Sequence, residues 1–177
     1  MNNGLIGTLL EFVVSLFSGS PEVQVSIPLS PSPQTTGIDW TNGECRVTPH
    51  FKVKDCLMLH SYNRLATEAD GADFQKLTTL CQKMEQIRNV LECEINVHCT
   101  FRSKAYNQSQ GIKPEADVHS MNEAMDFDCN GNLTIQEIKD RLIPVLDLYG
   151  IRLERGTTTW CHVDVHSVGP SGRYFTV

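Results

Sequence analysis

The longest regular pattern in the chain is helical: Phe74, Leu77, Leu80, Cys81, Met84, Ile87 and Leu91 recur at three- and four-residue intervals. That spacing lays an apolar stripe along one helix face, so residues 73–91 are predicted to pack that face on a core. Downstream the period changes to two. Ile95, Val97 and Cys99 alternate with Glu94, Asn96 and His98, which predicts a half-buried strand over residues 94–100 with His98 turned away from the apolar side. Residues 51–68 are predicted as a first helix after a short extended entry. Residues 101–118 carry Asn107, Ser109, Gly111 and Pro114 and read as loop, with one helical turn at 104–108. A strand follows at 124–128. Thr134-Ile-Gln-Glu137 is a capping box opening a helix with Ile135, Ile138, Leu142 and Leu146 at helical spacing, bent or restarted at Pro144 and closed by Gly150. Two further strands are predicted at 151–154 and 159–165. The sum is an α+β fold, with helices packed on a small antiparallel sheet.

The start of the chain differs. Residues 1–20 form an apolar segment whose core, residues 5–17, opens on Leu5 and closes on Phe17. It is shorter than the ~20 apolar residues that cross a bilayer, and no Lys or Arg precedes it as in an export signal. Three readings stay open: a helix contacting a membrane or an assembly partner, an atypical cleaved signal, and a helix docked on the protein's own core. Residues 21–44 contain Pro21, Pro28, Pro31 and Pro33 among Ser, Thr and Gly and read as an extended linker. Residues 45–177 are predicted to form the one catalytic domain.

Composition narrows the function. The net charge is -6, and the 15 Lys and Arg are scattered rather than clustered, which argues against a nucleic-acid surface. The seven cysteines are odd in number and lack any Cys-x-x-Cys pair, so they are expected to be reduced and mostly buried.

The candidate chemistry lies in His119, in Asp126 seven residues later, and in His162 within Trp160-Cys-His-Val-Asp164. Two histidines and a carboxylate make the three-ligand set of a catalytic zinc, which keeps one position free of protein ligands. Residues two apart on a strand share a face, so His162 and Asp164 are expected to point together, opposite Cys161 and Val163. Taken singly, each histidine reads as an ordinary hydrogen-bonded residue. His50, His60, His98 and His166 are placed outside the site. Tyr106 and Trp160 either line the cleft or pack at its rim.

These residues resemble a known family, the zinc D-alanyl-D-alanine carboxypeptidase-like metallopeptidases, cell-wall enzymes that share their metal-binding fold with the Hedgehog signalling domain. The resemblance runs from Thr48-Pro-His-Phe51 through Thr100-Phe-Arg-Ser103, Ala105-Tyr-Asn107 and the His119 to Asp126 stretch to Trp160-Cys-His-Val-Asp164. It implies that His119, Asp126 and His162 hold zinc and that Arg102 binds a substrate carbonyl or carboxylate. Where the family has Ser two residues before the first histidine and Gly three after it, this chain has Asp117 and Asn122. Several branches place a general base three residues before the last histidine, where this chain has Thr159. The base is therefore left to Asp164 first, with Glu154 or Glu123 next, and Asp164 serves equally well as a group orienting a ligand histidine.

The implied activity is hydrolysis of peptidoglycan stem peptides or cross-links, as carboxypeptidase or endopeptidase. The implied setting is a phage virion or the host cell envelope or periplasm. Two other readings accompany it. A zinc-stabilised binding or virion structural protein would keep the fold and lack turnover. A calcium-regulated enzyme is suggested by Asp126, Asp128, Asn130, Gly131, Thr134 and Glu137, which fall at EF-hand loop positions, with Asp128, Asn130 and Glu137 as added Ca2+ ligands. Against calcium, a strand rather than a helix is predicted to enter that loop.

Overall fold

The computed structural model describes residues 37–176. The apolar segment at 5–17 and most of the proline-rich linker lie outside them. No helix among the described residues is long and apolar enough to cross a membrane.

The elements run α1 (Val53–Leu57), β1 (Met58–Leu59), β2 (Arg64–Leu65), α2 (Phe74–Leu91), β3 (Asn96–Cys99), α3 (Lys104–Ser109), β4 (Ala124–Asp128), α4 (Ile135–Leu142), α5 (Leu146–Tyr149), β5 (Arg152–Glu154), β6 (Cys161–Asp164) and β7 (Tyr174–Phe175), with short 3-10 turns between. The long helix forms as its stripe predicts. Asp73 caps it by accepting from the Lys76 backbone N–H, and Leu77, Leu80, Cys81, Met84, Ile87 and Leu91 are buried. Burial of such side chains contributes about 1.5–3 kcal/mol each. The capping box at Thr134 and Glu137 is present, and Pro144 ends α4 in a 3-10 turn from which α5 restarts, closed by Gly150 at φ 64°.

The first predicted helix is corrected. Only Val53–Leu57 is helical, because Asn63 takes a left-handed conformation at φ 47° and folds the chain into a ribbon in which Met58 pairs with Leu65.

Five strands form one sheet in the order β3-β4-β6-β5-β7. All neighbours are antiparallel except β5 and β7, which run parallel, a departure from the all-antiparallel expectation. The two faces have separate jobs. Met125, Phe127, Leu153, Cys161 and Val163 join the hydrophobic core, as do Ile138 and Leu142 of α4 and the buried stripe of α2. The alternate positions Asp126, Arg152, Glu154, His162 and Asp164, with Phe175, line a cleft on the opposite face.

The all-reduced expectation for the cysteines is also corrected. Cys93, just past α2, is bridged to Cys129, just past β4, while Cys56, Cys81 and Cys161 are buried thiols. Closing a loop across 36 residues of separation falls in the range where a disulfide contributes about 2–4 kcal/mol.

Candidate metal centre

His119, Asp126 and His162 converge at the base of a cleft of about 310 Å³. Strand pairing brings two of them together: Asp126 of β4 lies directly opposite His162 of β6. His119 comes from the turn before β4. Its Nδ1 lies 3.0 Å from the Thr100 carbonyl oxygen, which orients Nε2 toward Asp126 Oδ2 at 3.3 Å. His162 Nδ1 lies 2.7 Å from Asp126 Oδ1, and the two imidazoles stand edge to face with centroids 5.1 Å apart. Two donors at roughly 2.0–2.2 Å from one tetrahedral zinc lie about 3.3–3.6 Å apart, so the His119–Asp126 spacing suits a shared ion. The nitrogen and oxygen donors suit zinc as well.

A further donor lies beside His119 and Asp126, in a grouping that leaves out His162. Cys99 of β3 lies opposite Asp126 on its other side, and ligand atoms of Cys99, His119 and Asp126 all fall within 4.8 Å of one another. The alternation along residues 94–100 had placed Cys99 with Val97 on the apolar side. A register shift between Val97 and Cys99 overturns that: Val97 faces Phe127, yet Cys99 rather than His98 faces Asp126. One extra residue in a strand is a β-bulge, which re-aims the side chain that follows it. His98 turns outward and pairs with Asp128 at 2.7 Å. Period-two patterning carries no signal for a bulge, so this donor could not be found in the sequence.

The surroundings fix the charge of the site. Burial opposes protonation of His119, but hydrogen bonds to Asp126 and Cys99 outweigh it and push its pKa up to about 10. Burial alone would raise the Asp126 pKa, yet His119 and His162 hold it well below the usual carboxylate range. His162 is likewise raised, burial being outweighed by Asp126 and Asp164. A ligating imidazole must be unprotonated, so metal competes with a proton on His119 up to about pH 10. Zinc affinity is expected to keep rising with pH above 6.5, where an ordinary imidazole is already neutral. Calorimetric titration at pH 7.5 in buffers of different ionisation enthalpy should register proton release. Linkage runs the other way for the metal-free protein. His119 stabilises it fully below 6.5 and loses that contribution toward about 10, while Asp126 contributes only above its unfolded value near 3.8. Metal-free stability should therefore peak between about pH 4 and 6.5, whereas the metal-loaded protein should not weaken on going from 6.5 to 8.

Asp164 stands in the cleft wall beside His162, but it is closed off from solvent. It is 0% exposed, lies 3.5 Å from His162 Nε2, accepts from the His166 backbone N–H, and is gripped by Arg152 through two bonds of 2.6 and 2.9 Å. Burial would raise its pKa, but His162 and Arg152 hold it low. Glu123 is engaged by Lys76 at 2.6 Å and His166 at 2.5 Å. Glu154 lines the cleft, and among the described residues no hydrogen bond or ion pair engages its carboxylate. Trp160 lines the cleft, whereas Tyr106 lines a second groove beyond Arg102.

Arg102 reaches the cleft from the loop after β3, with Nη1 3.3 Å from Asp117 Oδ1 and Nη2 3.3 Å from Asp126 Oδ2. Asp117, standing where the resembled family has Ser, also accepts from Asn107 at 2.5 Å and from the Ser120 hydroxyl at 3.3 Å. It organises both the arginine and the turn bearing His119. Asn122, in place of Gly, has φ 64°. Asn adopts that left-handed backbone more readily than most residues, and its side chain accepts from Asp73 N–H at 3.0 Å and donates to the Gly71 carbonyl at 3.1 Å. Asn122→Gly should lose only those bonds and a longer one to the Ser120 carbonyl. Asn122→Ala adds left-handed strain and is expected to be about 1 kcal/mol less stable than the glycine variant in urea unfolding.

Among the described residues, the EF-hand positions form no group of ligand atoms able to share an ion. Asp126 belongs to the centre above, Asp128 is taken by His98 and by the Asn130 backbone N–H, and Glu137 caps α4 through Thr134. A strand, β4, enters the loop instead of a helix. The calcium expectation at Asp128, Asn130 and Glu137 is therefore not supported.

No family model, curated protein or solved structure matches the chain.

Proposed function

We propose that the protein is a zinc metallopeptidase acting on peptidoglycan stem peptides or cross-links. The observation that carries this reading is the convergence of His119, Asp126 and His162 in a cleft that also presents a guanidinium and an unengaged carboxylate. The order of sequence motifs, which resembles the zinc carboxypeptidase-like cell-wall enzymes, supports the substrate class.

His119, Asp126 and His162 would hold the metal, with Asp164 orienting His162. Bound zinc supplies Lewis-acid polarisation and an acidified water near neutral pH. Glu154 takes the role of general base in place of Asp164, because a base must be able to accept a proton in the cleft and Asp164 is committed to Arg152. Arg102 binds a substrate carbonyl or terminal carboxylate with the donors that its long contacts to Asp117 and Asp126 leave available. A phage virion or the host cell envelope is the setting in which such an activity would be used.

A second reading, a zinc-stabilised structural or binding protein, is favoured by one observation, the Cys99 sulfur grouped with His119 and Asp126, which together with His162 would make four donors. Structural zinc sites are closed by four protein ligands. Digestion of purified peptidoglycan by zinc-loaded protein and by His119→Ala, with fragments identified by mass spectrometry, tests the first against the second. Zinc-dependent cleavage lost in the variant supports the peptidase and names its bond. Failure of folded, zinc-bound protein and of its Cys99→Ala variant to cleave any fragment overturns it.

A further inference from the structure

The bulge in β3 asks for a reason. Regular pairing would continue from Asn96 opposite Asp128 and Val97 opposite Phe127 to His98 opposite Asp126, but the chain inserts His98 and presents Cys99 there instead. The insertion puts Cys99, Asp126 and His162 in one row across three adjacent strands, with His119 standing over it. A ladder irregularity that carries a soft sulfur donor into a nitrogen and oxygen set changes what the set can bind. The Cys99 sulfur lies within 4.8 Å of the ligand atoms of His119 and Asp126. Cys99 is half-buried and lines the groove beyond Arg102 rather than being sealed in the core like Cys56, Cys81 and Cys161.

We propose that Cys99 is a metal ligand together with His119, Asp126 and His162, so that the resting protein holds a closed, four-ligand centre. Catalytic zinc sites keep one position free of protein ligands, and here the sulfur fills it. The proposal rests on the zinc reading above and adds a consequence for it: the peptidase is latent at rest and becomes competent when Cys99 withdraws. Withdrawal is a ligand exchange with no net oxidation or reduction. Leaving is feasible because Cys99 ends its strand and is followed directly by the loop of Thr100 to Ser103 rather than by further ladder.

Cobalt(II) substitution tests the ligand directly, since a thiolate on cobalt gives an intense near-ultraviolet charge-transfer band that nitrogen and oxygen donors do not. The expected result is a band in the cobalt-loaded wild type that is absent in cobalt-loaded Cys99→Ala and Cys99→Ser. A measurement that needs no variant accompanies it: zinc should protect Cys99, but not the similarly half-buried Cys45, from alkylation followed by peptide mass spectrometry. Bound cobalt without the band, with Cys99 alkylated equally with and without zinc, overturns the proposal and leaves the three-ligand zinc reading standing. Failure of the wild type to bind either metal overturns both. For activity, Cys99→Ala should cleave peptidoglycan at least ~10-fold faster than wild type, consistent with freeing one coordination position. A rate equal to or below that of the wild type overturns latency. A band with no cleavage by any variant supports the fourth ligand while the peptidase reading fails.

Discussion

Glu154→Gln is expected to lower kcat/KM for peptidoglycan fragments by ~10²-fold or more while leaving zinc affinity unchanged. Geometry excludes two of three carboxylates. A general base has to exchange a proton with a reacting group, so it needs a free oxygen in the cleft. Asp164 has none to offer: both its oxygens are bonded to Arg152, and one also to the His166 backbone N–H. Glu123 is held between Lys76 and His166. Glu154 shares the cleft face of β5 with Arg152 and is tied to neither histidine. The glutamine keeps size and shape while removing the ability to accept a proton, so its effect should appear in kcat rather than KM. An active protein indifferent to Glu154→Gln would sink the assignment. The experiment is best run in the Cys99→Ala background as well as the wild type, because a closed centre would mask the base.

The largest expected loss of stability follows from Arg152→Ala. Arg152 and Asp164 face one another across β5 and β6, the carboxylate is 0% exposed, and the guanidinium also covers the Phe175 ring at 4.6 Å. Removing one member of a buried pair strands the other charge without solvent, a loss of about 3–5 kcal/mol. Surface pairs such as Lys54 with Glu44 should by contrast change little when broken. The double variant Arg152→Met/Asp164→Leu removes both charges and is expected to be more stable than Arg152→Ala, which urea unfolding would show. It should still weaken zinc binding, because Asp164 orients His162, and lost outer contacts of this kind lower metal affinity about 10–100-fold. Equal stability of Arg152→Ala and the wild type would mean that Asp164 is reached by water after all.

What the sequence made legible followed from periodicity. The stripe from Phe74 to Leu91, the capping box at Thr134 and the alternation of Cys161, His162, Val163 and Asp164 each reflect one repeating geometry, and each is present. So is the shared face of His162 and Asp164. Features that depend on a break in repetition were not legible. The helix expected over residues 51–68 gives way at Asn63, whose left-handed backbone no apolar pattern announces. Cys99 was assigned to the wrong face because a single inserted residue reverses parity for everything after it. Arg152 was missed for a different reason: its importance comes from a partner on another strand, and pairing across a sheet is invisible to local pattern. Asp117 and Asn122 looked like departures from a resembled family, and in the structure both are bound into the turn that carries His119.

The row Cys99, Asp126, His162 also bears on the order in which the chain folds. Its members come from strands far apart in sequence, and β6 must travel past α4, α5 and β5 before it can lie against β4. Contacts of long sequence separation form late because loop closure must precede them. No early, locally structured ensemble can therefore present all the donors at once. In refolding experiments metal capture should be among the last events, concurrent with final sheet closure, and zinc should slow unfolding far more than it speeds folding.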